Sequence, residues 1–342
     1  MSRSCFRGHQ PVAGYKVSRY PWAKALAEKL MALRIGCIGL GIMGRPMASR
    51  WLAAGHEVTV WARNPEAVAP LITQGAQSVA SAADLARQVD VIFTNVSDTP
   101  DVEQVLLGSG GVVVGARPGL IVVDHSTISP TATRRLAAVL AGQGVHLLDA
   151  PVSGGEQGAI DGTLSIMVGG EAAVLEQVRP LLEVVGQTIT HLGGHGAGQF
   201  TKACNQLLVA QTIMAVSEAI VLAEAANVDP AAMREALLGG LAGSRILEVH
   251  GERMIRREYL PGFKTRLHHK DMSIVLQAAA ELGLPLPGAA LSAQWINAAV
   301  GLGHGEADSA VVAEVLRRLA PSGPIHDEEQ SPFAAVEPRA GK

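Results

Sequence analysis

The segment Leu33-Arg34-Ile35-Gly36-Cys37-Ile38-Gly39-Leu40-Gly41-Ile42-Met43-Gly44 joins a short apolar run to glycines spaced G-x-G-x-x-G, and a helical pattern opens directly after it. A strand that ends in such a turn and starts a helix gives the spacing a physical meaning. The first glycine permits the tight turn, the second lets backbone N–H groups approach a pyrophosphate, and the third brings helix against strand with the helix N-terminus facing the anion. Gly39, Leu40, Gly41, Ile42, Met43 and Gly44 are therefore expected to hold a dinucleotide. The same spacing outside a strand-helix junction would mark only a glycine turn.

Further along, β-branched runs predict strands over Leu33–Ile38, Val58–Trp61, Val89–Thr94, Leu120–Val123, Val145–Leu148, Leu164–Val168 and Thr188–His191. Segments with helix-start signals, such as Thr99-Pro100 and Ser129-Pro130, lie between strands. Strand and helix in alternation imply a mainly parallel sheet covered on both faces. From Gln199 the pattern becomes helical only, starting with a helix of roughly 28 residues and roughly 40 Å that ends near Asn227, before the cap Asp229-Pro230. The expected fold is an α/β Rossmann domain over 33–195, then an all-α domain over 196–319, joined by that long helix. Residues 1–32 are basic without a regular apolar period, and the stretch 320–342 mixes prolines with acids. Both are expected to be disordered, with Met31 as the functional start. An Arg-rich N-terminus can also be a transit peptide, but Ser is sparse here, and a cytoplasmic protein is the expectation.

Composition narrows the function classes. The 342 residues carry 28 Lys and Arg against 31 Asp and Glu, a formal charge of −3, which offers no field for nucleic acid. The most aliphatic stretch, Leu207 to Ala226, is broken by Gln211, Thr212, Ser217, Glu218 and Glu224, so no membrane span is expected. Cys5, Cys37 and Cys204 form no C-x-x-C pair, which indicates neither a disulfide framework nor a zinc site. The histidines lack metal-ligand spacing, and no metal is assigned. Partners are expected to be a small-molecule substrate or protein subunits.

Discrimination between NAD and NADP belongs at the end of the second strand, where an acid would bind the ribose 2′-hydroxyl and repel a 2′-phosphate. The residues there, Val60-Trp61-Ala62-Arg63-Asn64, contain no acid. Arg63 offers a forked cation and Asn64 a further donor, so NADP is the expected cofactor, with NAD as the alternative. Other polar clusters follow. Asp124-His125-Ser126-Thr127 stands at a strand's C-terminal end, where open parallel sheets bind ligands. Pro151-Val152-Ser153-Gly154-Gly155 could offer glycine amides to a carboxylate or form an ordinary turn. Lys202 and Asn205 share one face of the long helix, just after Gly196 and Gly198, and a Lys in this apolar setting is a candidate proton donor. Lys270-Asp271, preceded by His268 and His269, adds polar groups near a later helix start; an exposed charge pair would look the same.

The glycine loop, the block Asp149 to Gly170, Gly198-x-x-x-Lys202-x-x-Asn205, Gly239 to Ser244, and Pro261-Gly262-Phe263 leading to Lys270-Asp271 resemble the β-hydroxyacid dehydrogenases over about residues 33–319. The stretch Gly239 to Ser244 with the glycine-rich block most resembles the branch that reduces tartronate semialdehyde. The resemblance implies a reductase that passes hydride from NAD(P)H to the aldehyde of a small 3-oxo acid in a cleft between the domains, with a helical domain that mediates oligomerisation as a homo-oligomer, a dimer or tetramer. Short semialdehydes such as that of 3-hydroxyisobutyrate chemistry, or a non-catalytic relative, are the alternatives. By position it implies that Lys202 is catalytic with Asn205 beside it, that Ser126, Thr127, Gly154, Gly155 and Asn205 bind substrate, and that Asn95, Val96, Thr127 and Lys270 lie against the cofactor. This chain departs from the pattern at Thr127, where relatives have Ser, at Asn95-Val96, where they have Leu-Pro, and at Ala62, where they have Asp.

Overall fold

The computed structural model describes residues 33–320. The expectations for 1–32 and for the tail after residue 320 lie outside the described residues. The strands are β1 Ile35–Ile38, β2 Val58–Trp61, β3 Gln77–Ser78, β4 Val91–Thr94, β5 Ile121–Asp124, β6 His146–Asp149, β7 Val152–Ser153, β8 Leu164–Gly169 and β9 Gly186–Gly193. The helices of the first part are α1 Gly44–Ala53, α2 Ala69–Ile72, α3 Ala82–Gln88, α4 Thr99–Leu107, α5 Val112–Gly115, α6 Pro130–Ala141, α7 Gly155–Asp161 and α8 Ala172–Glu183. Those of the second are α9 Ala197–Ala225, α10 Pro230–Leu238, α11 Arg245–Arg256, α12 Thr265–Glu281, α13 Pro287–Ala299 and α14 Val312–Leu319.

The sheet runs in the order β3-β2-β1-β4-β5-β6-β8-β7, with β9 also paired to β8. Pairs from β3 through to β6 are parallel, whereas β6 and β7 meet β8 antiparallel. This is a mainly parallel sheet with the strand order of a dinucleotide-binding fold. Side chains alternate between two cores: Ile35, Cys37, Val91, Phe93, Ile121 and Val123 enter one, and Ile38, Ile92 and Val122 the other. Burial on both faces is why these strands read as continuous apolar runs. The two-residue strands β3 and β7 were not expected. Gln77 and Ser78 are exposed and polar, and only the hydrogen-bonding edge of β2 makes them a strand.

Helix starts follow local chemistry. Ser129 caps α6 with Pro130 in its first turn, and Asp229 caps α10 with Pro230 in the same place. At α4 the cap is Asp98, one residue before the expected Thr99-Pro100 start.

Helix α9 has 29 residues and is apolar enough to cross a membrane by length and composition, contrary to the sequence expectation. It packs instead as the axis of the second part. It lies against β8, β9 and α6 of the first part and against α11, α12, α13 and α14 of the second. Ala210, Ile213, Met214 and Ile220 join Met254, Met272, Ile296 and Val312 in a third core.

Candidate active site

Strand ends are level across the sheet: Ile38 pairs with Trp61 and Thr94, Thr94 with Asp124, and Asp124 with Asp149. The next residues, Gly39, Ala62, Asn95, His125 and Ala150, therefore leave the sheet along one edge. The chain turns back at β1, with β2 on one side and β4 on the other, and ligands bind at the crevice such a reversal creates.

In that crevice the glycine loop packs as the spacing requires. A Cβ on Gly39, whose φ is +88°, would lie 2.1 Å from the Asn95 carbonyl oxygen, and one on Gly44 would lie 1.9 Å from that of Gly39. A Cβ on Gly41 would meet only open space. Helix α1 has no acidic residue in its first turn and no side-chain cap, leaving N–H groups for an anion. The loop fits a pyrophosphate. Asn95 N–H donates to Ile38 O at 2.9 Å, and Val96 N–H to Ser126 Oγ at 2.9 Å, so both line the same turn.

Beyond β2, Arg63 is 67% exposed and Asn64 caps the turn Pro65–Ala67, its Oδ1 accepting from Glu66 N–H. The end of β2 itself carries no acid, but the fold brings one to it: Asp101 of α4 reaches Arg63 Nη1 at 2.8 Å.

The cluster after β5 divides by depth. Asp124 lies 2% exposed, accepting from Thr94 Oγ1 at 2.7 Å and Ser126 N–H at 3.1 Å, and burial pushes it up to about 6. His125 stacks on Phe93 with Nδ1 2.6 Å from Ala150 O, and burial pushes it down to about 4, so it is neutral. These two support the edge from below. Ser126 is itself buried, while Thr127 is half-buried. Gln199 of α9 clamps this loop, its Oε1 accepting from Ile128 N–H and its Nε2 donating to Ser126 O at 2.7 Å. Lys270 Nζ donates to Thr127 O at 2.5 Å and pairs with Asp271 at 2.9 Å.

The start of α9 is set by Asp149, whose carboxylate accepts from Gly196 N–H and Gln199 N–H at 2.8 and 3.0 Å. Helix and sheet approach so closely here that a Cβ on Gly198 would fall 2.3 Å from Met167 O. One turn on, Lys202 is 9% exposed, and its Nζ makes no hydrogen bond to the described residues. Burial pushes it down to about 8, opposed by Asp271 and reinforced by Lys270. A hydrogen-bonded series runs beside it: Gln206 Nε2 donates to Asp271 Oδ2 at 2.6 Å, Asn205 Nδ2 to Gln206 Oε1 at 2.8 Å, and Ser153 Oγ to Asn205 Oδ1 at 3.4 Å. Gly154 and Gly155 follow Ser153 at the start of α7. His268, fully buried against Phe263, is pushed down to about 4 by burial.

The structure thus gathers Lys202, Asn205, Lys270, Thr127 and Ser126 where the two parts of the chain meet, and sets Arg63 and Asn64 off at β2. Sequence reasoning assigned no role to Gln199, Gln206, Ser153 or Asp101. A signal existed for two of them: Gln199 and Gln206 flank Lys202 at helical spacing, on the buried face of an otherwise apolar helix.

A dinucleotide-binding sheet whose carboxyl edge is closed by a helix bearing a buried lysine, unpaired among the described residues, defines an NAD(P)-dependent oxidoreductase. Residues 34–193 match the NAD-binding domain of 6-phosphogluconate dehydrogenase, and residues 196–316 the NAD-binding domain of NADP-dependent 3-hydroxyisobutyrate dehydrogenase. The chain belongs to the β-hydroxyacid dehydrogenase family. It is 48% identical over 288 residues to a 2-hydroxy-3-oxopropionate reductase of Escherichia coli K12, covering 84% of this chain and 98% of the relative. Among solved structures, it resembles a 3-hydroxyisobutyrate dehydrogenase of Salmonella typhimurium at 31% identity and TM-score 0.77, covering 83% of this chain and 99% of that one. A structure of Psf3 in complex with NADP+ and 2-OPP matches at 28% identity and TM-score 0.76, covering 82% of this chain and 99% of the other.

Proposed function

We propose that the protein reduces 2-hydroxy-3-oxopropionate (tartronate semialdehyde) to glycerate and prefers NADPH. The observation that carries the chemistry is Lys202, a buried ammonium without a hydrogen-bond partner among the described residues, beside the Asn205 amide. When bound, the reduced nicotinamide supplies the hydride. Negative charge then grows on the substrate carbonyl oxygen, and Lys202 Nζ stabilises it and delivers a proton. With its pKa near 8, Lys202 is largely protonated at neutral pH yet gives up its proton more readily than an ordinary lysine. Asn205 orients the oxygen, while Ser126, Thr127 and the amides of Gly154 and Gly155 hold the carboxylate, so that binding away from the reacting carbon aligns the aldehyde. Lys270 secures the Thr127 loop against α12 and would contact the cofactor when it is bound.

The substrate rests on the small, polar character of this set and on the likeness to the Escherichia coli reductase. A hydroxyl beside the carboxylate gives these donors and acceptors partners. A methyl there leaves polar groups unpaired, at a cost of about 1–3 kcal/mol. Steady-state kinetics with NADPH at one pH should therefore give tartronate semialdehyde a kcat/KM roughly 5-fold to 150-fold above methylmalonate or succinate semialdehyde. If either of the latter is the better substrate, the substrate assignment fails and the role of Lys202 stands.

A further inference from the structure

We propose that Asp101 sets how strongly this protein selects a 2′-phosphorylated adenosine, by holding Arg63 until a phosphate displaces it. Arg63 follows β2 and Asp101 stands in α4, which follows β4; both strands pair with β1, whose end carries the glycine loop. Their 2.8 Å ion pair therefore spans the crevice on the side of β2, where the adenosine ribose of a dinucleotide held by that loop would lie.

The partners differ in how firmly they are held. Asp101 lies in the first turn of α4, its N–H bonded to the capping Asp98 Oδ1 at 3.1 Å, and its side chain is 20% exposed. An acid three residues after a cap commonly turns back to the cap's own N–H; this one faces Arg63. Arg63 is 67% exposed, on a long side chain that can swing. A phosphate dianion offers the guanidinium a bidentate partner, and an exposed carboxylate pair is weak enough to exchange for it. The exchange leaves the Asp101 carboxylate near the new dianion. Asp101 thus opposes the 2′-phosphate twice, by occupying Arg63 and by its own charge, and supplies from α4 the acid that the end of β2 lacks.

This inference rests on Arg63 being the phosphate ligand, and the experiment separates the two. Calorimetric titration of the full chain with 2′,5′-ADP and with 5′-AMP isolates the 2′-phosphate. Asp101→Asn should tighten 2′,5′-ADP about fivefold at low salt and leave 5′-AMP within about twofold, with the gain shrinking as ionic strength rises. Asp101→Ala should reproduce it, which excludes an effect of the new amide. In an Arg63→Ala background most of the gain should disappear. An unchanged 2′,5′-ADP to 5′-AMP ratio in both Asp101 variants, while Arg63→Ala weakens 2′,5′-ADP, overturns the role of Asp101 and keeps Arg63. A full gain in the Arg63→Ala background also overturns the holding role, leaving repulsion alone. No effect of Arg63→Ala on the ratio removes Arg63 as the phosphate ligand, and the inference with it.

Discussion

Each end of α9 meets a cation that is largely withdrawn from solvent, and the two are treated in opposite ways. Near the C-terminal end, Arg317 donates to Glu224 at 2.6 and 2.8 Å, to Glu314 at 2.7 Å, to Tyr259 Oη at 3.2 Å and to Met254 O at 3.0 Å. Burial works against its charge, yet these hydrogen bonds and the neighbouring acids outweigh it, and its proton is held more tightly than usual. Lys202, near the N-terminal end, has no hydrogen-bond partner among the described residues and is pushed down to about 8. Acceptors make one cation a fastener between α9, α11 and α14, and their absence leaves the other, the more deeply buried, poised to release a proton. What decides is whether the fold delivers compensating acceptors along with the loss of water.

Removing the fastener should produce the largest effect. Arg317→Ala leaves Glu224 and Glu314 without their shared cation and should lower unfolding stability by about 3 kcal/mol in urea titrations. Since residues 202 and 224 stand roughly 30 Å apart along the helix, turnover of the folded fraction should stay within about twofold. A large loss of kcat there would mean that the two ends are coupled.

Lys202→Ala should lower turnover at least about 100-fold with dinucleotide binding near wild type, the scale expected on losing a general acid. In the wild type, the reductive kcat should fall as pH rises through about 8, where Lys202 loses its proton. A mutant that retains a tenth of wild-type turnover removes Lys202 from the chemistry.

The smallest effect has the opposite sign to that of Arg317. The pKa of Lys202 is about 8 in the fold against 10.5 for an ordinary lysine, so between these values the unfolded chain binds more protons and stability rises with pH. The burden of its charge is fully present below pH 8. Lys202→Met should accordingly stabilise the fold at pH 7 by about 1–3 kcal/mol, a gain that fades toward pH 10.5. Equal melting temperatures of mutant and wild type at pH 7 would show that the ammonium is already compensated, and the contrast with Arg317 would vanish.

Much of the fold was legible because its signals are local. The β-branched runs that became β1, β2, β4, β5, β6, β8 and β9 are short and bounded by turn residues, and the caps Ser129 and Asp229 act within one turn. Edge strands β3 and β7 were not, since a neighbour rather than their own composition makes them strands. In the site, the glycine loop and the Lys202–Asn205 face were visible as spacing. Asp124 and His125 looked like ligand groups because an exposed polar cluster and a buried, satisfied one read alike in one dimension.

By itself the sequence determined the strand-turn-helix junction at Gly39 to Gly44, the alternation that makes a parallel sheet and the long helix that carries Lys202, because sterics and periodicity act between near neighbours. Only the tertiary structure decided that Asp101 faces Arg63, that Gln199 clamps the Ser126 loop, that Asp271 reaches Asn205 through Gln206, and that Lys202 is stripped of water while Arg317 is surrounded by acceptors. The reason is range: desolvation and ion pairing depend on which groups from distant parts of the chain share a volume, and no local pattern records that.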